Sequence, residues 1–403
     1  MTNPSTPLDP IDLHRRLQGK LAVVSKTPLT PETLAALYTP GVGQVSSRLA
    51  EHPEEAPALT LKGRSVAVVS DGSAVLGLGN IGPLGALPVM EGKAILFKEF
   101  GGLDAWPIVL NTQNVDEIVA AVKAIAPTFG AINLEDISAP RCYEVEERLQ
   151  AELDIPVMHD DQHATAIVAL AGLINAAKVV NKDLKSCRIV VVGAGAAGSG
   201  LFRLLVDYGV TDVVLTDSKG IVEPSRTNLD AYKQRWAQLG NPRQLAGDVA
   251  VALKDADVVV GVTVPGAFTT DHIKSMAPRP IVFALANPTP EVMPADALAA
   301  GAAVVATGRS DFANQINNVL VFPGLFQGLL ATGTPAVTTA IKLQAAQALA
   351  GLVPAPTADQ IIPSVFDPQI AAVLAAAVAT ATSANPAVAR PSDTHGPIEP
   401  RRQ

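Results

Sequence analysis

The chain has 403 residues, 48% of them hydrophobic and 17% charged, a balance that excludes a disordered polymer and leaves room for two or three domains. Its formal net charge of −8 argues against a surface built for nucleic acid or acidic lipid, so neither a nucleic-acid nor a membrane partner is expected. The two cysteines, Cys142 and Cys187, are too few for a disulfide framework and point to a reducing, cytoplasmic compartment.

In chain order, the start MTNPSTPLDPIDL carries no basic stretch leading into an apolar run, so no secretory signal is expected. Residues 1 to about 160 read as irregular, with many Pro and Gly turns between short apolar runs such as SVAVVS, AILF and PIVLN; SVAVVS and AILF read as strands. From about residue 163 the grain becomes regular. A helical stretch, ATAIVALAGLINAAKVV, leads into the apolar strand CRIVVVG, a helix SGLFRLLVDYG and a strand DVVLTD. Further apolar strands follow at ADVVVGV, PIVFALAN and AAVVATG, separated by helix-length segments. Apolar strands alternating with helices predict a doubly wound parallel sheet. The run IAAVLAAAVATAT is too short to span a bilayer and reads as a packed helix. The tail from Pro386, rich in Pro and charge without periodicity, is expected to be disordered.

Two segments spell G-x-G-x-x-G: GLGNIG (Gly77 to Gly82) and GAGAAG (Gly193 to Gly198). A dinucleotide turn needs a strand before it, a helix opening directly after it, and an acid at the end of the next strand. GAGAAG meets all three, with RIVVV before it and Asp217 ending the next strand. Its backbone N–H groups around Gly193, Gly195, Ala196, Ala197 and Gly198 can cradle a pyrophosphate, and Asp217 can accept from a ribose hydroxyl. GLGNIG is followed by PLGALPVMEGK, whose two prolines and two glycines make a regular helix doubtful. Glu99, after AILF, is then a decoy acid. This loop reads as a close backbone approach to neighbouring chain or to a ligand.

Acids cluster twice. INLEDISAP places Glu135 and Asp136 at the end of an apolar segment, and VMHDDQHAT places Asp160 and Asp161 in the same way. Such oxygens suit Mg²⁺ or Mn²⁺ rather than zinc, although single pairs equally serve as helix caps. His159 and His163 lack the H-E-x-x-H pattern and read as hydrogen-bonding groups. Tyr38 in YTPGVG and Lys93 in VMEGKAILF are proton-transfer candidates; apolar neighbours and a nearby metal would lower the Lys93 pKa and make it a base.

Taken in order, YTPGVG, SDGSAVLGLGNIGPLGALPVMEGKAILF, FGAINLEDISAPRC, IPVMHDDQHATA, VVVGAGAAGSG, FALANPTPE and ATGRSDFANQINNVLVFPG resemble the malic enzyme family, specifically its small-subunit bacterial members. The resemblance covers about residues 15 to 385. It implies an α/β fold: an N-terminal α/β substrate domain over 1–160, a doubly wound Rossmann domain with C-terminal helices over 161–385, and a tail over 386–403. It also implies metal-dependent oxidative decarboxylation of L-malate to pyruvate and CO₂ with NAD or NADP. By the same resemblance Glu135, Asp136 and Asp161 are metal ligands, Lys93 the general base, Asp160 the group orienting it, and Tyr38 the general acid. Asn287 and Asn318 contact substrate, Asn287 also lying by the cofactor. A homodimer or higher oligomer is implied, with the N-terminal segment a candidate to complete a neighbour's site.

Three positions depart from the family. Ala164 stands where Gly is usual, implying a slightly reshaped turn. Ala74 stands in the first glycine loop where larger members carry an arginine for the malate carboxylate. The segment TDSKG pairs Asp217, which favours NAD, with Ser218 and Lys219, which can hold a 2′-phosphate. Two other reactions stay open: a malolactic-type decarboxylation, and a metal-independent amino-acid dehydrogenase on a similar architecture.

Overall fold

The structure, a computed structural model, describes residues 9–384. Strands β1 (Ser65–Ser70), β2 (Asp104–Val109), β3 (Ala131–Leu134) and β4 (Val157–His159) form a parallel sheet in the order β2-β1-β3-β4. Every residue of β1 is buried, as expected of a strand covered on both faces. The first half is therefore a regular α/β layer rather than the irregular region its Pro and Gly content suggests.

The run AILF is not a strand. It lies within a 20-residue helix, Gly82–Gly101, which opens directly on the last glycine of GLGNIG. Pro83 sits in the first turn, where a missing N–H costs nothing. Pro88 is inside the helix, and Lys20 Nζ donates to its carbonyl at 2.6 Å. The helix buries Met90, Lys93, Ala94 and Phe97, an i, i+3, i+4, i+7 stripe. Burial of this stripe against the sheet outweighs the two prolines, and Glu99 is consequently a helix residue.

A second sheet contains β5 (Arg188–Val192), β6 (Asp212–Asp217), β7 (Gly220–Ile221), β8 (Val258–Gly261), β9 (Ile281–Ala284) and β10 (Val304–Thr307). Their order is β10-β9-β8-β5-β6-β7, parallel except for the short antiparallel β7. Chain progress reverses at β5, so the carboxyl ends of β5 and β8 flank a crevice at the switch point.

Helix Asp160–Val179 leaves β4 and packs on helices Ala196–Tyr208 and Thr339–Gly351 beside the second sheet. Helix Phe322–Thr332 returns to the first half and packs on helix Gly82–Gly101, where Phe322 and Phe326 meet Phe97 tilted and edge-on at centroid distances of 4.7 and 5.4 Å. The run IAAVLAAAVATAT belongs to helix Ile370–Ala384, which packs on Phe322–Thr332. One apolar core consequently runs through both halves. Among the described residues no helix is long and apolar enough to cross a membrane. The expected disordered tail, 386–403, falls outside the described residues.

Candidate active site

The register of the first sheet pairs Leu134 of β3 with His159 of β4, so the residues following each strand emerge side by side. Glu135 and Asp136 follow β3; Asp160 and Asp161 open the long helix after β4, where the helix dipole favours acids. Carboxylate oxygens of Glu135, Asp136 and Asp161 lie within 4.8 Å of one another. Asp136 has a left-handed backbone (φ 54°), and its N–H donates to Asp161 Oδ2 at 3.0 Å. Ala74 N–H in turn donates to the Asp136 carbonyl at 2.9 Å, tying the first glycine loop to this turn.

Lys93 enters from the facing helix. Its Nζ is 2.9 Å from Glu135 Oε1 and 2.5 Å from Asp160 Oδ2, and it lies 4.3 Å from the Phe322 ring centroid. Asn318 Nδ2 donates to the same Asp160 oxygen at 2.9 Å, and Asn133 Nδ2 to Glu135 Oε2 at 3.0 Å. Asp160 is fully buried and its Oδ1 has no partner. Lys93, Glu135 and Asp136 are also buried.

Three carboxylates, Asp160, Glu135 and Asp161, therefore act on one buried lysine. Burial pulls the Lys93 ammonium down, but Asp160, Glu135 and Asp161 overcome it and hold the pKa above the ordinary lysine value. The expectation of a lowered Lys93 pKa is thus reversed in the chain alone, because the acids retain its proton. Burial, opposed by Lys93, pushes Asp160 up to about 7 and also raises Glu135. Such an excess of buried negative charge is costly unless a cation offsets it. The donors are oxygens only, the set that suits a hard divalent ion, and such an ion would also loosen the Lys93 proton.

Three further positions bear on the site. Tyr38, just past helix Pro31–Leu37, is 67% exposed, and among the described residues no hydrogen bond or ion pair joins its side chain to the Lys93 cluster. Asn287 follows β9, and Gly77 of GLGNIG meets it so closely that a Cβ there would lie 2.2 Å from the Asn287 carbonyl oxygen. Packing against the second half, not a nucleotide, accounts for that glycine. Ala164 is not in a turn at all: it lies inside helix Asp160–Val179, fully buried, where alanine is the most favourable residue.

The histidines differ from each other. Lys342 Nζ can only donate, so the His163 Nδ1 it meets at 2.9 Å is the acceptor, and Nε2–H donates to Glu146 Oε2 at 3.0 Å. His159, by contrast, is fully buried with both ring nitrogens unpartnered, so only His163 fits the expectation of a hydrogen-bonding ring.

A cavity of 820 Å³ opens at the switch point, lined by Gly193, Gly195, Asp217, Ser218 and Lys219 and, from the first half, Tyr143. Gly195 caps helix Ala196–Tyr208, whose opening residues Ala196, Ala197 and Gly198 present free N–H groups beside the cavity. A Cβ on Gly198 would sit 1.7 Å from the Gly193 carbonyl oxygen, so only glycine lets strand and helix meet here. Asp217 accepts from Lys219 N–H at 2.9 Å, Arg226 Nη1 at 2.9 Å and Lys233 Nζ at 3.1 Å. Burial works against its charge, but these donors hold it below the ordinary carboxylate value. Arg226 and Lys233 escape a sequence reading because they are 9 and 16 residues beyond Asp217 in segments without a pattern. Arg141 is missed similarly; it bonds Asp71 at 3.2 Å and Ser138 at 2.9 Å beside the loop that holds Ala74.

A buried lysine–carboxylate cluster at the strand ends of one parallel sheet, beside a nucleotide-sized crevice in a doubly wound second sheet, defines a two-sheet α/β protein of the dinucleotide-binding class. The chain matches the malic enzyme N-terminal domain over residues 18–150 and the malic enzyme NAD binding domain over residues 163–384, and it belongs to the malic enzyme family. It is 50% identical over 375 residues to a bifunctional malic/malolactic enzyme of Bacillus subtilis, covering 92% of each chain. It is 51% identical over 355 residues to an NAD-dependent malic enzyme of Geobacillus stearothermophilus, covering 87% of this chain and 74% of the relative. The crystal structure of an NAD-dependent malic enzyme from Thermotoga maritima superposes with a TM-score of 0.89 at 45% identity, over 92% of this chain and 99% of that one.

Proposed function

We propose that the chain oxidises L-malate at C2 and decarboxylates it to pyruvate and CO₂, with NAD or NADP as the hydride acceptor. The observation that carries this reading is the contact of buried Lys93 with Glu135 and Asp160, beside the oxygen cluster of Glu135, Asp136 and Asp161. Those three carboxylates would hold Mg²⁺ or Mn²⁺, and the bound ion supplies a Lewis acid for the C2 oxygen of the substrate. Lys93 takes the proton of the C2 hydroxyl, with Asp160 fixing Nζ from one side and Asn318 fixing Asp160 from the other. Tyr38 returns a proton to C3 after CO₂ has left. The amides of Asn287 and Asn318 orient the substrate.

The N–H groups at Ala196 to Gly198 receive the pyrophosphate of the coenzyme, and Asp217 the ribose hydroxyls. An ionised Asp217 that already occupies Arg226 and Lys233 supports NAD over NADP, because a 2′-phosphate would meet a carboxylate that holds two of the nearby cations. The thiols Cys142 and Cys187 are free and buried, which supports a reducing, cytoplasmic setting. A homodimer is supported by the N-terminal helices, which carry exposed Ile11, Leu17, Leu34 and Leu37.

A metal-independent amino-acid dehydrogenase would have no use for the carboxylate cluster, which disfavours that alternative. The test is direct: purified protein, malate, Mn²⁺ or Mg²⁺ and either coenzyme should produce reduced nicotinamide and pyruvate in equal amounts. Absence of turnover with both coenzymes overturns the reading; lactate as the product would reveal the malolactic route.

A further inference from the structure

A second cavity, of 410 Å³, lies behind the catalytic centre, walled by Tyr143, Tyr232 and Trp236 and reached by Arg203 and Lys342. The rings pack on one another, Tyr143 to Tyr232 at 4.8 Å and Tyr143 to Trp236 at 5.2 Å. Among the described residues neither cation has a carboxylate within ion-pair distance. Arg203 spends Nη2 on Gln162 Oε1 at 2.9 Å and Nε on the Ser199 carbonyl at 3.3 Å, both neutral acceptors. Among the described residues the hydrogen bond of Lys342 goes to the neutral Nδ1 of His163. Two acids line the cavity: Glu146 is already occupied by His159 N–H at 2.7 Å, Gln162 Nε2 at 3.1 Å and His163 Nε2 at 3.0 Å, and Glu147 accepts from Tyr232 Oη at 3.1 Å and pairs with Arg235 at 3.6 Å. Burial and the nearby Arg203, opposed by Glu146 and Asp207, draw Lys342 down to about 8.

We propose that this cavity is a second ligand site, for a small oxyanion (a phosphate or a carboxylate), bound by Arg203 and Lys342 against the aromatic wall, and that its occupancy tunes the catalytic centre. Two under-neutralised cations, one with a planar fork of donors, match the charge and hydrogen-bonding needs of such a group. The coupling route is short. Gln162 and His163, held by Arg203 and Lys342, are on the helix turn that also carries Asp160 and Asp161. Tyr143 also lines the coenzyme cavity and shares a hydrogen bond with Ser199 Oγ at 3.0 Å, next to Gly198 of the glycine turn. An anion that draws Arg203 and Lys342 inward would shift both faces of the reaction site, and affinity for malate would change with it.

Trp236 is one of only two tryptophans in the chain, so the full-length Trp106→Phe protein reports on this wall by its emission. Inorganic phosphate and, separately, succinate are titrated into that protein without metal. A saturable change in Trp236 emission with at least one of them is expected, and whichever anion saturates at the lower concentration identifies the source. Arg203→Gln and Lys342→Gln, added singly, should each raise the midpoint tenfold or more, and either variant suffices if the other does not fold. No saturation with either anion, or midpoints unchanged in the folded variants, overturns the proposal. This binding arm is independent of malate turnover, so its failure is distinguishable from failure of the malate reading. In the steady-state arm the saturating anion should shift KM for malate in the parent and leave it unmoved in the variants; an unmoved parental KM with intact binding overturns the coupling.

Discussion

Lys93 occupies a position where an apolar side chain would normally close the helix stripe, and it is held there by acids rather than by packing. Removing it takes away the base and leaves Asp160 and Glu135 without their cation. Lys93→Ala should therefore lower kcat for malate oxidation by roughly 10²–10⁴-fold, read as the rate of reduced-nicotinamide formation at saturating substrate. The metal-free variant should also unfold on the order of 3–5 kcal/mol more easily, the usual cost of breaking a buried ion pair. Ion binding can be followed without turnover. Mg²⁺ or Mn²⁺ should raise the melting temperature of the parent by mass action, and Asp136→Asn or Asp161→Asn should flatten that rise; a rise unaltered in both would separate the oxygen cluster from the metal. At the coenzyme end, Asp217→Ser frees Arg226 and Lys233, which currently bind the carboxylate at 2.9 and 3.1 Å. Each charge-assisted bond they offer a 2′-phosphate should move the ratio of kcat/KM values toward NADP by about tenfold or more. A ratio that stays where the parent has it would show that these cations do not read the ribose.

At the scale of elements, Glu146 of helix Arg141–Glu152 clamps the junction of β4 with the helix that bears Asp160 and Asp161, accepting from residues 159, 162 and 163. Burial works against its charge, but His163 and its other neighbours hold Glu146 at about 2, below its ordinary 4.5. Its contribution is therefore fully present above pH 4.5 and fades as pH falls toward 2, amounting to about 3 kcal/mol by linkage. Glu146→Gln imitates the protonated acid, so urea unfolding should find the variant less stable by about that amount at pH 7. The gap should narrow only below pH 4.5; a gap that is the same at pH 7 and pH 3.5 would assign the loss to shape rather than charge. Burial also holds His163 down at about 4, against an ordinary 6.5. The unfolded chain then takes up that proton first, and the parent should lose stability from pH 6.5 downward. Elements with an unbroken apolar period, such as β5, β6 and helix Asp160–Val179, were readable from the sequence because burial on all sides leaves a continuous signature. Helix Gly82–Gly101 was not, because two prolines and four glycines mask a stripe whose second member is a lysine. The acids after β3 and β4 could be picked out singly as ligands or caps, but it is the Leu134–His159 register that brings them together, and register is a property of the sheet.

The whole molecule leaves one group outside the site that the chain itself builds. Helices Pro10–Leu17, Pro31–Leu37 and Val42–Glu51 have no buried residues, and Tyr38 stands 67% exposed at the end of the second. Apolar side chains displayed along an entire layer would suit a surface that another chain covers, and the proposed two-fold dimer would bring that layer of each copy onto the other. Tyr38 would then complete the site of the neighbouring copy, in agreement with its lack of contact to the local Lys93 cluster. Tyr38→Phe alone should slow proton return to C3 and so reduce pyruvate formation, and Lys93→Ala alone should abolish oxidation. Co-refolding the two impaired proteins in equal amounts, with pyruvate formation as the readout, distinguishes the arrangements. If tyrosine and lysine meet across the interface, half of the dimers pair unlike chains and each of these contains one intact site, so turnover should recover to roughly a quarter of the parental value. If both residues act within one chain, no mixture contains an intact site, and the combined sample should be as inactive as its components.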